Sequence, residues 1–276
     1  MTTVVLGSSG FLGKQLHNYL SKNEASTPLE AVYERFETEA GIKKTLKVLK
    51  PKLIYNCIAL TNAKKCEDSK EEAFWTNGRI PGIIAEFCRE SDAKLIHIST
   101  DAVMDTSKAF KCELEEPKAF SIYGESKLEG EKRVQEANCK HTIARVNFFG
   151  LSHKGDSLLD FFINNIRNRR ECSGYVNVFF NPLGVGTLLN LLYKIQKANF
   201  EGIIHVVGNE RISKYDFGKE IELRISQGNT LVRAKEVDLE NRNQIRDLTL
   251  CNCKMQKLFG ALKVEWKQEL GSFLSA

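Results

Sequence analysis

An α/β fold, built on a doubly wound parallel sheet with a smaller α/β domain after it, is what this chain of 276 residues predicts. Three observations carry the prediction. Short β-branched runs alternate with helical patterns through the first half, and those runs are apolar throughout instead of alternating, as strands covered by helices on both faces should be. A glycine-rich turn, Gly7-Ser8-Ser9-Gly10-Phe11-Leu12-Gly13, joins the first run to the first helical pattern.

The elements follow in order. Residues 3–6 read as the first strand, and Leu12, Leu16 and Leu20 then recur at a helical spacing. A second strand is expected near residues 29–33, a third over 52–59 and a fourth over 94–99. Between the last two, Ile83, Ile84, Phe87 and Cys88 form the apolar stripe of a crossover helix. A helix from Tyr123 to about Ala137 leads into a strand at 141–146. Beyond Gly150 the pattern changes to helices at 157–169, 185–198 and 213–226 with short strands at 176–180 and 203–206, and Ser213 with Asp216 forms a capping box for the third of these helices. The expected division is residues 1–150 and 151–276. No Ser/Gly linker separates the two, so the second part is expected to be partly interleaved with the first.

Composition narrows the function classes. With 42% hydrophobic and 27% charged residues and five prolines, the chain has no disordered or low-complexity tract. The start, MTTVVLGSSGFLGKQL, lacks the basic segment and long apolar run of a signal peptide or membrane span. The eight cysteines of such a chain are expected as reduced thiols in the cytoplasm. Cys251 and Cys253 stand alone at their C-x-C spacing, and no metal site is predicted. A net charge of +5 without a Lys/Arg block points away from nucleic acid and membrane partners.

Three motifs carry chemistry. The glycine turn after the first strand permits a sharp bend and a close backbone approach, and the helix start beyond it offers N–H donors to a pyrophosphate; a plain strand-to-helix turn is the bland alternative. Tyr123 and Lys127, four residues apart, share one helix face. An ammonium there should lower the phenol's pKa and let it exchange a proton. Ser99-Thr100-Asp101 closes the fourth strand, at the end where open α/β sheets bind ligands, and a hydroxyl there can bond a carbonyl oxygen gaining charge. His97, in an apolar run, reads as a satisfied core histidine.

At these residues the chain resembles the extended short-chain dehydrogenase/reductase family, with its Rossmann-like domain, and within it the group of dTDP-4-dehydrorhamnose reductases and related sugar-nucleotide reductases. The likeness extends through residues 51–59, 72–77, 145–150, 202–208, 212–217 and 246–250. It implies a catalytic triad of Thr100, Tyr123 and Lys127, with hydride passing from NAD(P)H to a keto carbon of a nucleotide-activated 4-keto-deoxysugar while Tyr123 protonates the oxygen. Gly7, Gly10, Phe11, Leu12 and Gly13 would cradle the cofactor's pyrophosphate. Ala59, Leu60 and Thr61 would line the adenosine side, and Tyr123 and Lys127 would also touch the cofactor. Thr100, Asp101 and Phe148 would face the sugar, and the remaining 151–276 would be the smaller substrate-binding domain. The second strand should end at the residue that reads the adenosine ribose, where Glu34 would favour NAD and Arg35 would favour NADP; Lys43 and Lys44 tip the expectation to NADP.

The chain also departs from that group. Ala102-Val103-Met104-Asp105-Thr106 replaces Tyr-Val-Phe-Asp-Gly, and Gln244-Ile245 replaces an Arg-Pro. Related dehydratases carry Glu where Ala102 stands, and a methyl group cannot move a proton. Two other readings remain at this point: a non-catalytic regulatory subunit that keeps the nucleotide fold, and a sugar-nucleotide epimerase. A homodimer is the assembly held open.

Overall fold

The computed structural model describes residues 2–24, 26–237, 247–261 and 265–274. Gln244, Ile245 and Arg246 lie outside the described residues. In chain order the elements begin with β1 (Thr3–Leu6), α1 (Phe11–Asn23), β2 (Leu29–Val32), α2 (Glu39–Leu49), β3 (Leu53–Asn56), α3 (Ala63–Asp68) and α4 (Lys70–Ala73). A π-helical stretch, Phe74–Arg79, runs into α5 (Ile80–Ser91), followed by β4 (Lys94–Thr100), a 3-10 turn (Asp101–Val103), α6 (Ile122–Glu136) and β5 (His141–Val146). Then come β6 (Phe148–Phe149), α7 (Leu158–Arg167), β7 (Cys172–Tyr175), β8 (Phe179–Phe180), β9 (Leu183–Gly184) and α8 (Val185–Lys197). The chain ends with β10 (Gly202–Val206), β11 (Ile212–Ser213), α9 (Lys214–Ile225), β12 (Val232–Lys235), α10 (Cys253–Phe259) and α11 (Trp266–Leu274).

These elements form two compact units. The first holds residues 1–103, 117–145 and 191–204, and the second holds 104–116, 146–190 and 205–276. A six-stranded sheet in the order β10-β5-β4-β3-β1-β2 organises the first unit, and its β1–β2, β1–β3 and β3–β4 pairs are parallel. The doubly wound α/β fold expected from the sequence is therefore present. Every residue of β1, β3 and β4 is buried, which is why their sequences lack an in–out alternation. On one face Val4, Leu6, Ile54 and Leu95 pack with Ile42 and Leu46 of α2 and with Ile80, Ile83 and Ile84 of α5. Each fully buried aliphatic side chain of this kind contributes roughly 1.5–3 kcal/mol.

Two expected strands are shorter in the structure. The third ends at Asn56, not residue 59, because the Asn56 carboxamide oxygen takes the Ile58 N–H at 3.1 Å and turns the chain out of the ladder. The run at 176–180 is not one strand. Strand β7 ends at Tyr175 in a parallel pair with β12, whereas β8 pairs antiparallel with β11, so the chain must turn between two separate ladders.

The second unit closes on aromatic rings. Phe217 of α9 meets Phe149, Phe180 and Trp266 at centroid distances of 5.3, 5.6 and 5.8 Å, the first two pairs edge-on. The capping box expected at Ser213 and Asp216 is formed, and Ser157 with Asp160 makes a second one at the start of α7. No helix among the described residues is long and apolar enough to cross a membrane. Ser213→Ala should lower the unfolding free energy by about 1 kcal/mol, the usual worth of an N-cap hydroxyl; an unchanged urea midpoint would show that the cap does not hold α9.

Candidate active site

The glycine turn sits where the strand order reverses. Strand β1 has β2 on one side and β3 on the other, so the loops leaving β1 and β3 part to opposite faces and open a crevice at the carboxyl ends. Gly7 has φ +79°, and its N–H and that of Ser8 both donate to the Val32 carbonyl, at 3.1 and 3.0 Å. A Cβ on Gly13 would stand 2.3 Å from the Gly7 oxygen, so nothing larger than glycine lets α1 start this close to the turn. Helix α1 opens at Gly10 with no side-chain cap and no acidic residue in its first turn. That combination fits an anion. Leu12 is buried beneath the turn and Phe11 is half-buried.

The stretch after β3, which includes Ala59, Leu60 and Thr61, is held by a residue the motif reading did not single out. Asn77, fully buried in the π-helical stretch, accepts the Leu60 N–H at 2.8 Å and donates to the Leu60 carbonyl at 3.0 Å. The same carboxamide donates to Ser126 Oγ on α6 at 3.0 Å. One side chain thus ties the loop beyond β3 to the helix bearing Tyr123 and Lys127. The wider π turn is a known means of re-aiming a side chain at a functional site. Only its place inside the Phe74-Trp75-Thr76-Asn77 segment could have marked Asn77 in the sequence.

Thr100, Tyr123 and Lys127 come together. Thr100 ends β4, and its hydroxyl donates to Asp101 Oδ1 at 2.8 Å and is hydrogen-bonded to the Tyr123 hydroxyl. Helix α6 starts at Ser121, whose hydroxyl accepts the Gly124 N–H. A Cβ on Gly124 would lie 2.4 Å from the Ala102 carbonyl oxygen, so the first turn of α6 rests directly on the 3-10 turn after β4. Lys127 is buried and its Nζ donates to the Ile98 carbonyl at 2.7 Å.

The electrostatics correct one expectation. Burial pushes the Tyr123 phenol well above its usual range; the Thr100 hydrogen bond works against this, and the neighbouring Asp101 charge adds to it. Lys127 does not depress it, because its ammonium points to a strand carbonyl and its own pKa is lowered to about 8 by burial, against the pull of Glu131 and Cys57. The phenol therefore keeps its proton at neutral pH and is equipped to give it, which is what an oxygen acquiring negative charge requires.

The other expected residues are placed as follows. Arg35, beyond β2 and largely exposed, is ion-paired with Glu72, which also takes Lys65 at 3.0 Å; Glu34 accepts from Thr45 Oγ1 at 3.3 Å. Asp101 is buried beside Thr100. Phe148 belongs to β6 of the second unit. His97 is buried with one ring nitrogen 3.2 Å from Asn56 Nδ2, while its Nε2 has no partner among the described residues, so it is only half satisfied. Burial holds its pKa well below the usual value, which leaves it neutral.

A parallel sheet with a glycine turn at its switch point and a Tyr-x-x-x-Lys helix laid on β4 defines the class: an extended short-chain dehydrogenase/reductase. The family model described as RmlD substrate binding domain matches residues 1–276, and the chain belongs to that family. It is 30% identical over 187 residues to the Haloferax volcanii protein named "Probable low-salt glycan biosynthesis reductase Agl14", and 28% identical over 188 residues to the dTDP-4-dehydrorhamnose reductase of Escherichia coli K12. Each alignment takes in 66% of this chain and spans 62% of the relative's length. The crystal structure of the Bacillus anthracis dTDP-4-dehydrorhamnose reductase in complex with NADP superposes with a TM-score of 0.87 at 24% identity, covering 99% of this chain and 97% of that one.

Asn77→Ala would take the partner from the half-buried Leu60 N–H, leave the Leu60 carbonyl with only the Cys66 thiol, and free Ser126 Oγ. It should cost about 1–3 kcal/mol of unfolding free energy, measured by denaturant titration; a loss no larger than that of an exposed Asn→Ala would mean the tie is not made in solution.

Proposed function

We propose that the chain is an NAD(P)H-dependent reductase of a nucleotide-activated 4-keto-deoxysugar, with dTDP-4-dehydrorhamnose as the first substrate to test. One observation carries the reading: a proton-bearing phenol, hydrogen-bonded to Thr100 and one turn from Lys127, stands at the carboxyl end of β4 in the sheet whose switch point holds the glycine turn. The names of the relatives, and the NADP bound to the Bacillus anthracis enzyme, support it.

The cofactor fits what the residues offer. At Gly7 and Gly13 a Cβ would collide with neighbouring backbone, so the glycines keep the turn tight against the start of α1, which begins without a carboxylate to repel phosphate. Gly7, Gly10, Phe11, Leu12 and Gly13 would hold the pyrophosphate, and Ala59, Leu60 and Thr61, fixed by Asn77, would line the adenosine side. Arg35 would meet a 2'-phosphate, which inclines the choice to NADP. When bound, the nicotinamide supplies the hydride.

The chain's own residues supply the rest. Tyr123 gives its proton to the substrate oxygen, and Thr100, on turning its one hydroxyl proton from Asp101 to that oxygen, would orient it. Lys127, one turn further along α6 and bonded to the Ile98 carbonyl, would hold the cofactor with its charge. Asp101 and, from the substrate-binding residues of the second unit, Phe148 would face the sugar. Buried Ala102 brings no acid or base, so reduction and not dehydration is the chemistry of this site. A cytoplasmic location and a homodimeric assembly belong to the same proposal.

Incubation with NADPH or NADH and a panel of nucleotide-activated 4-keto-6-deoxysugars, followed at the absorbance of the reduced nicotinamide, tests the reading. Tyr123→Phe should slow oxidation by about two orders of magnitude. Because burial lowers the Lys127 pKa to about 8, the ammonium is present below that pH and lost above it. Activity should therefore fall as pH rises through about 8. Cofactor binding without net oxidation by any substrate would instead favour a regulatory subunit, and stereochemical inversion without net oxidation an epimerase.

A further inference from the structure

The last three residues of β4 each engage α6, and they do so at successive turns of one helix face. Thr100 meets Tyr123, the Ile98 carbonyl takes Lys127, and Ser99 Oγ donates to Glu131 Oε1. Residues 123, 127 and 131 are spaced by four, so their side chains lie in line along the helix. The first two belong to the proposed chemistry. The third is unused by it, and it is a carboxylate that is 1% exposed.

Glu131 is not merely buried; it is clamped. Arg145 of β5, itself 1% exposed, approaches with Nε at 3.0 Å from Oε1 and 3.2 Å from Oε2, and with Nη2 at 2.7 Å from Oε2. With Ser99 on the opposite side, the carboxylate accepts from two strands at once and cannot swing away. A buried ion pair of this kind is seldom a net stabiliser compared with an apolar pair of the same shape, so its presence calls for another account.

The surroundings of Lys127 supply one. Cys57, just beyond β3, faces it as a thiol that burial pushes up to about 12, and His97 of β4 faces it as a neutral ring. Tyr123 on its own helix carries its proton, Asp101 is engaged by Thr100, and the Arg145 guanidinium is turned to Glu131. Burial works against the charge of Lys127. The strongest opposing field is that of Glu131.

We propose that Glu131 is a positioning residue for Lys127, in which the Ser99–Glu131–Arg145 network fixes a carboxylate one turn along α6 and thereby keeps Lys127 charged and seated at the end of β4. The inference rests on the catalytic reading of Lys127 for its consequence in turnover, but not for its physical content. Arg145 and Ser99 act through Glu131, and Glu131 acts through Lys127.

The test is an NMR titration of protein labelled with 13Cε-lysine, in which Lys127→Arg assigns the resonance of Lys127. In the wild type its midpoint should lie near pH 8. Glu131→Gln should move the midpoint down by about one to two pH units, the size expected when one close charge of opposite sign is removed from a buried site. Glu131→Asp should fall in between. Since Glu131→Gln leaves the guanidinium without its counter-ion, the paired Glu131→Gln/Arg145→Met variant guards against simple misfolding and should also titrate below the wild type. The alkaline limb of kcat/KM should shift by the same amount in each variant. A folded Glu131→Gln or paired variant whose Lys127 midpoint stays at the wild-type value overturns the proposal. If the midpoint moves while no keto-sugar nucleotide is reduced by the wild type, the proposal stands and the reductase reading fails.

Discussion

The site depends on how closely α6 lies along the end of β4. Two surfaces this near must have no side chain between them at the first turn, where Gly124 meets the Ala102 carbonyl, and must satisfy every polar group they bury together. The strand end does this with one carbonyl and two hydroxyls, and the helix answers with a phenol, an ammonium and a carboxylate at successive turns. Arg145 completes the set from the neighbouring strand. Removing one partner of such a buried pair typically costs about 3–5 kcal/mol, because the other charge remains in a place water cannot reach.

That docking would be of little use in another sheet. Strand β4 is two places from β1, so its carboxyl end stands on the same side of the sheet as the glycine turn, across the end of β3. Asn77 then joins the loop leaving β3 to Ser126 in the middle of the Tyr-x-x-x-Lys motif. The turn, the loop and the helix are held as one assembly by hydrogen bonds that are buried or half-buried. Such bonds are costly to leave unmade, which makes the arrangement specific more than it makes it stable.

The departures from expectation have local causes. The third strand stops at Asn56 because a side chain competes with the ladder for a backbone N–H, which an apolar run such as Leu53 to Ala59 does not reveal. Residues 176–180 look like one strand because they are mostly apolar, yet the ladder with β12 ends before them at Tyr175 and only Phe179 and Phe180 pair, with β11. Lys127 was legible as the neighbour of Tyr123 on a helix face, but its ammonium is spent on the Ile98 carbonyl, and only the packing of the helix on the strand could show that. Asn77 and Glu131 carry no motif of their own. They matter because of what is buried against them.

What the sequence determined by itself was whatever depends on neighbours along the chain: the parallel α/β plan from runs apolar on both faces, the tight turn at Gly7–Gly13, the capping box at Ser213, and the shared helix face of Tyr123 and Lys127. The tertiary structure decided the charge states and the directions of the side chains. A pKa and a hydrogen-bond partner follow from the dielectric and the groups that long-range packing gathers around an atom, and Ser99, Glu131 and Arg145 are brought to one point by strands and a helix that meet only when the sheet has formed.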